Sequence, residues 1–227
     1  MATLKNTVFN DIGSITLPVG NTAQRPASPT DGMLRFNTTL GYIEWISRIK
    51  SNYIEIDKRN TMSKKALKKL GVLDIINFGF PDNQLDTIPL LVITKKLENV
   101  INQYKPQIIY THHIGDLNID HEITHKAVLT ACRPQPNFSV LEIYSFEIMS
   151  STEWGTPGYN TFVPDTFIDI TKFINKKMAA LNFYKIEMRD SPHSRSLEHI
   201  KALSVHRGNS VGLIACESFK TIRRIIK

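Results

Sequence analysis

Tyr110–Ala131, Y-T-H-H-I-G-D-L-N-I-D-H-E-I-T-H-K-A-V-L-T-A, is the stretch whose reading decides the fold. Within it, residues 110–125 hold four of the chain's seven histidines (His112, His113, His121, His125) and three carboxylates (Asp116, Asp120, Glu122), a density that points to a site. Just upstream, Gln107-Ile108-Ile109-Tyr110 is an apolar run after Lys105-Pro106, too short for a helix and suited to a buried strand of a parallel sheet. Downstream, Ile123, Ala127, Val128 and Ala131 recur at helical spacing. The polar cluster therefore spans the loop leaving the carboxyl end of a strand and the first turn of the next helix, where open α/β sheets place their ligands. His121 and His125 are i and i+4 on one helix face, the spacing at which two imidazoles can reach one metal. Asp116 and Asp120 are available as ligands or as partners that fix a histidine tautomer. A purely structural reading has His112 and His113 ending the strand, Asp120 capping the helix and His125 on its solvated face.

Upstream of the cluster, Met62, Ala66, Leu67 and Leu70 give a helix over Lys58–Leu70, Gly71 stops it, and Val72–Phe78 reads as the next strand. Pro81-Asp82-Asn83 is then a loop at that strand's carboxyl end. Ile88–Tyr104 is an amphipathic helix carrying Leu91, Ile93, Leu97, Val100 and Ile101, so two successive parallel strands joined by a helix are expected, the unit of an α/β core. Beyond the cluster, strands are expected at Leu141–Ile148 and Phe162–Ile170. A helix follows over 172–187, with Phe173, Ile174, Met178, Leu181 and Tyr184 inward, and a last helix over Cys216–Ile226. In the Pro192–Ser196 loop, Arg195 offers a planar bidentate donor to an anionic group, and Ser196 N-caps a helix from Leu197 with Glu198 in its first turn.

Residues 1–46 differ in character. Gly13, Gly20, Gly32 and Gly41 punctuate short segments, with strands at Ser14–Leu17, Met33–Asn37 and Tyr42–Trp45, hairpin material too small to be stable alone. The chain of 227 residues is long enough for a sizeable core. Its net charge of +7 comes from scattered lysines and arginines without an aromatic-interleaved stripe, which argues against nucleic acid as the partner. Cys132 and Cys216 read as buried thiols in helical patterns and in a reducing compartment. No leader and no apolar run near 18 residues stands out, so a cytoplasmic protein is expected.

The string T-H-H-x-G-D-L-N-x-D-H resembles a signature of the PIG-L/LmbE-like family of zinc-dependent de-N-acetylases that act on N-acetylglucosamine conjugates. Colinear agreement comes from Leu70-Gly71-Val72, Asn77 to Asn83, Ser145-Phe146-Glu147, Ser150 to Trp154, Pro192 to Ser196 and Arg207-Gly208, so the resemblance runs from about Arg59 to the C-terminus. It implies a Rossmann-like parallel sheet flanked by helices, His121 as a zinc ligand, and Asp120 as the carboxylate orienting a catalytic imidazole. The position of that imidazole is Asn118 here, and His112 or His113 would supply the group instead. Arg59, Asp82, His193 and Arg195 are implied candidates for holding the sugar or its attached group; Asp82 equally suits a loop carboxylate bonding local amides. The family's His-Pro-Asp-Asp loop, source of two zinc ligands and the general base, does not occur, and no histidine precedes His112. One remaining ligand cannot hold catalytic zinc.

The stretch 14–45 resembles a module of phage tail fibres and other virion proteins. The expected organisation is therefore a β-rich connector over 1–46 and a deacetylase-type domain over 47–227. The function expected is a zinc-dependent hydrolase of N-acetylated amino-sugar conjugates, disabled if the lost ligands are not replaced. The alternative is a carbohydrate-binding or virion component, homo-oligomeric through its N-terminal segment and located in the virion.

Overall fold

The computed structural model describes residues 57–226 in full and, before them, only the backbone of five short strands and the first turns of a helix. Two compact units divide the chain, Met1–Thr61 and Met62–Lys227. In the first, β1 (Val8–Phe9) pairs antiparallel with β2 (Ile15–Thr16). β3 (Val19–Gly20) runs parallel to β4 (Met33–Asn37), which forms a hairpin with β5 (Tyr42–Ile46) in the register Met33↔Ile46 to Asn37↔Tyr42. β2, β4 and β5 coincide with the strands expected at Ser14–Leu17, Met33–Asn37 and Tyr42–Trp45, whereas β1 and β3 are not among the expected strands. α1 (Lys50–Leu70) begins earlier than the expected Lys58.

The end of α1 follows from Gly71. Its φ of +92° is open to glycine at no steric cost, and the amides of Gly71 and Val72 both reach the Leu67 carbonyl at 3.0 Å. The expected strand over Val72–Phe78 does not form. A strand exists only through a partner's amides and carbonyls, and no described strand pairs with this segment. Its apolar side chains stand in solvent instead, with Leu73 fully exposed and Val72 and Ile76 nearly half so.

α2 (Leu90–Tyr104) is followed by Lys105 in the left-handed region (φ 46°), and Pro106 then bars any return to helix. β6 (Ile108–His112) emerges next, then α3 (Ile119–Ala131) and β7 (Glu142–Phe146), parallel to β6 from Ile108↔Glu142 to His112↔Phe146. β8 (Thr166–Asp169), α4 (Ile174–Leu181) and α5 (Leu197–Asn209) lead to β9 (Cys216–Arg224). The sheet order is β6-β7-β9-β8, with β9 antiparallel to both neighbours. The α/β class therefore holds, but the sheet is mixed, not wholly parallel.

The final segment corrects a helix expectation. Cys216 and Ser218 are buried on one face of β9, and a nine-residue strand completes the amides and carbonyls of both β7 and β8. The basic Arg223 and Arg224 that suggested a helix C-terminus lie at the strand end beside Val140 and Glu142. α4 is also shorter than expected, giving way at Asn182 to a single 3₁₀ turn, and Phe173 and Leu91, both expected inward, are more than half exposed.

The core lies between the sheet and the helix pair α2/α3. Val128, Cys132, Val140 and Ile143 pack with Leu97, Ile101, Ile109 and Ile222; a second group joins Leu85, Ile93 and Ala127 to Phe80 and Ile123. Neither cysteine is disulfide-bonded, and burial pushes the Cys132 thiol up to about 11, so both act as small apolar groups. No helix among the described residues is long and apolar enough to cross a membrane.

Candidate active site

The carboxyl ends of β6 and β7 lie side by side, and the loops leaving them, 113–118 and 147–160, interlock. A Cβ on Gly115 would collide with the Asn160 carbonyl, and one on Gly155 with the Gly115 carbonyl, so two glycines allow the backbones to touch. Glu147, at the start of the second loop, is gripped bidentately by Arg207 of α5 at 3.0 and 2.9 Å. The colinear motif pieces Ser-Phe-Glu and Arg-Gly thus meet as one buttress.

Asp116 is the centre of this region. Its buried carboxylate accepts from the Ser151 hydroxyl, the Asn118 amide (2.9 Å) and the Thr152 hydroxyl (2.8 Å). His121 Nδ1 lies 3.1 Å from its Oδ1, ion-pair distance though short of the alignment of a hydrogen bond. Burial alone would raise the Asp116 pKa, but the neighbouring His121 and the donors from Ser151, Asn118 and Thr152 outweigh it and hold the carboxyl at about 2. An ionised carboxylate is therefore built into the protein beside an imidazole.

The residues singled out in the sequence divide around this centre. Asn118 is the N-cap of α3, its side-chain oxygen accepting from the Asp120 amide at 2.8 Å. Asp120 gives both carboxylate oxygens to backbone amides, Asn83 at 2.7 Å and Leu85 at 2.8 Å, anchoring the 81–87 loop to the start of α3. The imidazole-facing position expected of Asp120 is occupied by Asp116. His113 is buried, its Nε2 donating to the Asn160 carbonyl at 2.5 Å and its ring edge-on to Phe162. His125 is buried, not solvated, and its Nδ1 donates to the His112 carbonyl at 2.8 Å, tying α3 to the end of β6. Burial lowers its pKa.

His112 and His121 are the pair brought together, rings stacked at 4.2 Å and 18°. Burial, then the neighbouring His121, pushes the His112 pKa down to about 4, so it is neutral at physiological pH; its Nδ1 is buried without a hydrogen-bond partner. Asp82 is exposed on the loop that Asp120 anchors, at the same sheet edge. His193 and Arg195 lie on the loop before α5: Arg195 donates to the Ser150 hydroxyl and pairs with Glu187 at 3.1 Å, while His193 Nδ1 accepts from the Arg195 amide at 3.0 Å. Arg59, on α1, belongs to the first unit.

The donor set can be tested against the zinc that the family resemblance implies. Among the described residues no three histidines, cysteines or carboxylates are grouped to hold a metal ion. The His112 and His121 rings lie face to face, so their in-plane lone pairs run side by side instead of converging on one tetrahedral ion. His113 and His125 each give one ring nitrogen to a backbone carbonyl, a bond compatible with ligation through the other nitrogen, but neither joins a group of three possible ligands. The described residues do not fit a catalytic zinc.

Comparison with known proteins bears on what remains. The fold is similar to the conserved protein TT1542 from Thermus thermophilus (TM-score 0.58, 22% identity, 75% of this chain and 76% of that one). It is similar to N,N'-diacetylchitobiose deacetylase from Pyrococcus horikoshii (0.57, 15%, 90% and 71%). It is also similar to GalB, the 4-carboxy-2-hydroxymuconate hydratase of Pseudomonas putida (0.53, 19%, 75% and 73%), so this fold serves more than one reaction. No curated protein matches by sequence. Residues 19–132 match the family described as PIG-L, GlcNAc-PI de-N-acetylase. The match opens at residue 19, not near Arg59, within the stretch likened to a fibre module, and that likeness has no support among these matches. With half of its 227 residues matched, histidine cluster included, the chain belongs to the PIG-L family.

Proposed function

We propose that the protein is a hydrolase of linear amides that removes the acyl group from an N-acetylated amino-sugar conjugate. The observation that carries the reading is the Asp116–His121 pair at the carboxyl edge of the sheet in a chain of the PIG-L family. The deacetylase among the structural neighbours points the same way.

Because the described residues do not fit zinc, the chemistry is assigned to side chains alone. A ring turn that aligns His121 Nδ1–H on Asp116 leaves Nε2 as the base, with the ionised carboxylate stabilising the imidazolium that forms. Nε2 takes a proton from water as its oxygen attacks the acyl carbon. The tetrahedral intermediate then collapses with breakage of the C–N bond, and the same proton passes to the departing amine. Water and amide are consumed, and carboxylic acid and amine produced, which become carboxylate and ammonium once the acid proton passes to the amine. Asp82, His193 and Arg195 remain the candidates for the sugar side, and Asp120, Asn118 and His113 hold the loops that carry the site.

Acetate release from N,N'-diacetylchitobiose by the purified full-length chain tests the reading, with metal content measured on the same sample. Acetate is expected from wild type, unaffected by chelator and lost in His121→Ala. A folded protein that releases none overturns the hydrolase assignment. One tightly bound zinc per chain, lost with His121, overturns the metal-free chemistry.

A further inference from the structure

Two rings stand at the rim of the interlocked loops without taking part in the bonds around Asp116. Trp154 closes the single 3₁₀ turn Thr152–Trp154, two residues from the hydroxyl that bonds Asp116, and is 52% exposed. Its indole meets the His193 imidazole edge-on, centroids 5.9 Å apart. Leaving half of a side chain of this size in solvent forgoes apolar burial. Yet its loop is tightly determined. Ser150 and Asn160, at either end, both hold positive φ (66° and 47°) without being glycine. The Glu153 carboxylate accepts from the Ser150 and Ser151 amides at 2.5 and 3.2 Å, and Gly155 is wedged on Gly115.

The second loop is fixed to the first. Arg195 joins Ser150 to Glu187, and its amide donates to His193 Nδ1, which places the proton of neutral His193 on Nε2, a hydrogen-bond donor. A flat apolar ring with a polar donor at its edge, both rigidly held, matches the two-sided chemistry of a pyranose, whose C–H face is apolar and whose rim carries hydroxyls. Tyr159, on the same loop, is 69% exposed.

Resting on the amino-sugar reading above, we propose that Trp154 is a stacking platform for the second sugar ring of the conjugate, with His193 Nε2–H donating to one of its hydroxyls. The site then selects a disaccharide over a monosaccharide. The sequence holds two tryptophans, so Trp45→Phe leaves Trp154 as the single reporter. In that full-length background, indole emission is titrated with N,N'-diacetylchitobiose and with N-acetylglucosamine, and acetate release is measured in parallel.

An emission change at about tenfold lower concentration of disaccharide than monosaccharide is expected, weakened about fivefold to tenfold by His193→Ala. For turnover, Trp154→Ala should raise KM for the disaccharide and leave KM for the monosaccharide unchanged, while Trp154→Phe retains most of the preference. Equal response to both sugars, no response, or an unchanged disaccharide KM in Trp154→Ala overturns the platform. Disaccharide-selective emission without acetate sinks the hydrolase reading and leaves the platform standing; acetate release with no dependence on Trp154 does the reverse.

Discussion

The two sides of the sheet in the second unit are built to different degrees of completion. On the side of β7 and β9, each strand is paired on both edges, Ile143 and Cys216 are 1% exposed, and the loops at the carboxyl end are stitched through Asp116, Glu147 and Arg195. On the other, β6 is one of the two edge strands among the described residues, β8 being the second; Ile108 and Tyr110 are nearly half exposed, and residues 72–80 run beside α2 without pairing. Asp74 reaches Tyr104 there, and Lys96 lies over the Phe78 and Phe80 rings, so side chains hold this segment where a ladder is lacking. Asp116 lies on the loop that leaves β6, so the site sits where the fully paired interior of the sheet meets its less complete edge.

Breaking the complete side should cost most. Asp116→Ala removes the acceptor of two hydroxyls and an amide and leaves them buried without partners, an expected loss of about 3 to 5 kcal/mol in urea unfolding. A loss below about 1 kcal/mol would mean that the loops do not depend on this carboxylate.

The stacked histidines give the next effect. His112 titrates at about 4 when folded against an ordinary 6.5, so the unfolded chain takes up a proton between these values that the folded protein refuses. Its contribution is intact above pH 6.5 and is lost as pH falls to 4, amounting to about 3 kcal/mol. The lowered His125 acts in the same direction. Asp116 contributes no slope in that window, because its depressed carboxyl withdraws stability only as pH falls from 3.8 toward 2. Unfolding midpoints at pH 7 and pH 4.5 should show the drop, and His112→Phe should flatten it; an equal slope in the variant would place the effect elsewhere.

The incomplete side should yield least. Leu73 is 102% exposed, so Leu73→Ser is expected to change stability by less than about 0.5 kcal/mol. A larger loss would show that 72–76 is covered in solution and would erase the contrast between the two sides.

Much of the site was legible from spacing. The histidine cluster, the strand ending at His112, the N-terminus of α3, and Ser196 capping α5 through the His199 amide at 3.1 Å all lie where periodicity and capping chemistry put them. Roles within the cluster were less so. Asp116 and Asp120 are equivalent along the chain as carboxylates near a histidine; the fold turns one onto His121 and the other onto the amides of Asn83 and Leu85. Trp154 was legible only as the end of the Ser150–Trp154 stretch, with no role, since an aromatic in a loop has no periodicity to read.

The amino-acid sequence by itself determined the α/β class, the helices from Leu90 and Leu197, the strands at Ile108 and Glu142 and the residues from which a site is drawn. These depend on propensity, capping and the period of apolar residues, which are local quantities. Tertiary structure alone decided that Val72–Phe78 is not a strand and that Cys216–Arg224 is, because a strand depends on a partner distant in sequence. It also decided which carboxylate faces an imidazole, since orientation is settled by the donors that packing brings within reach.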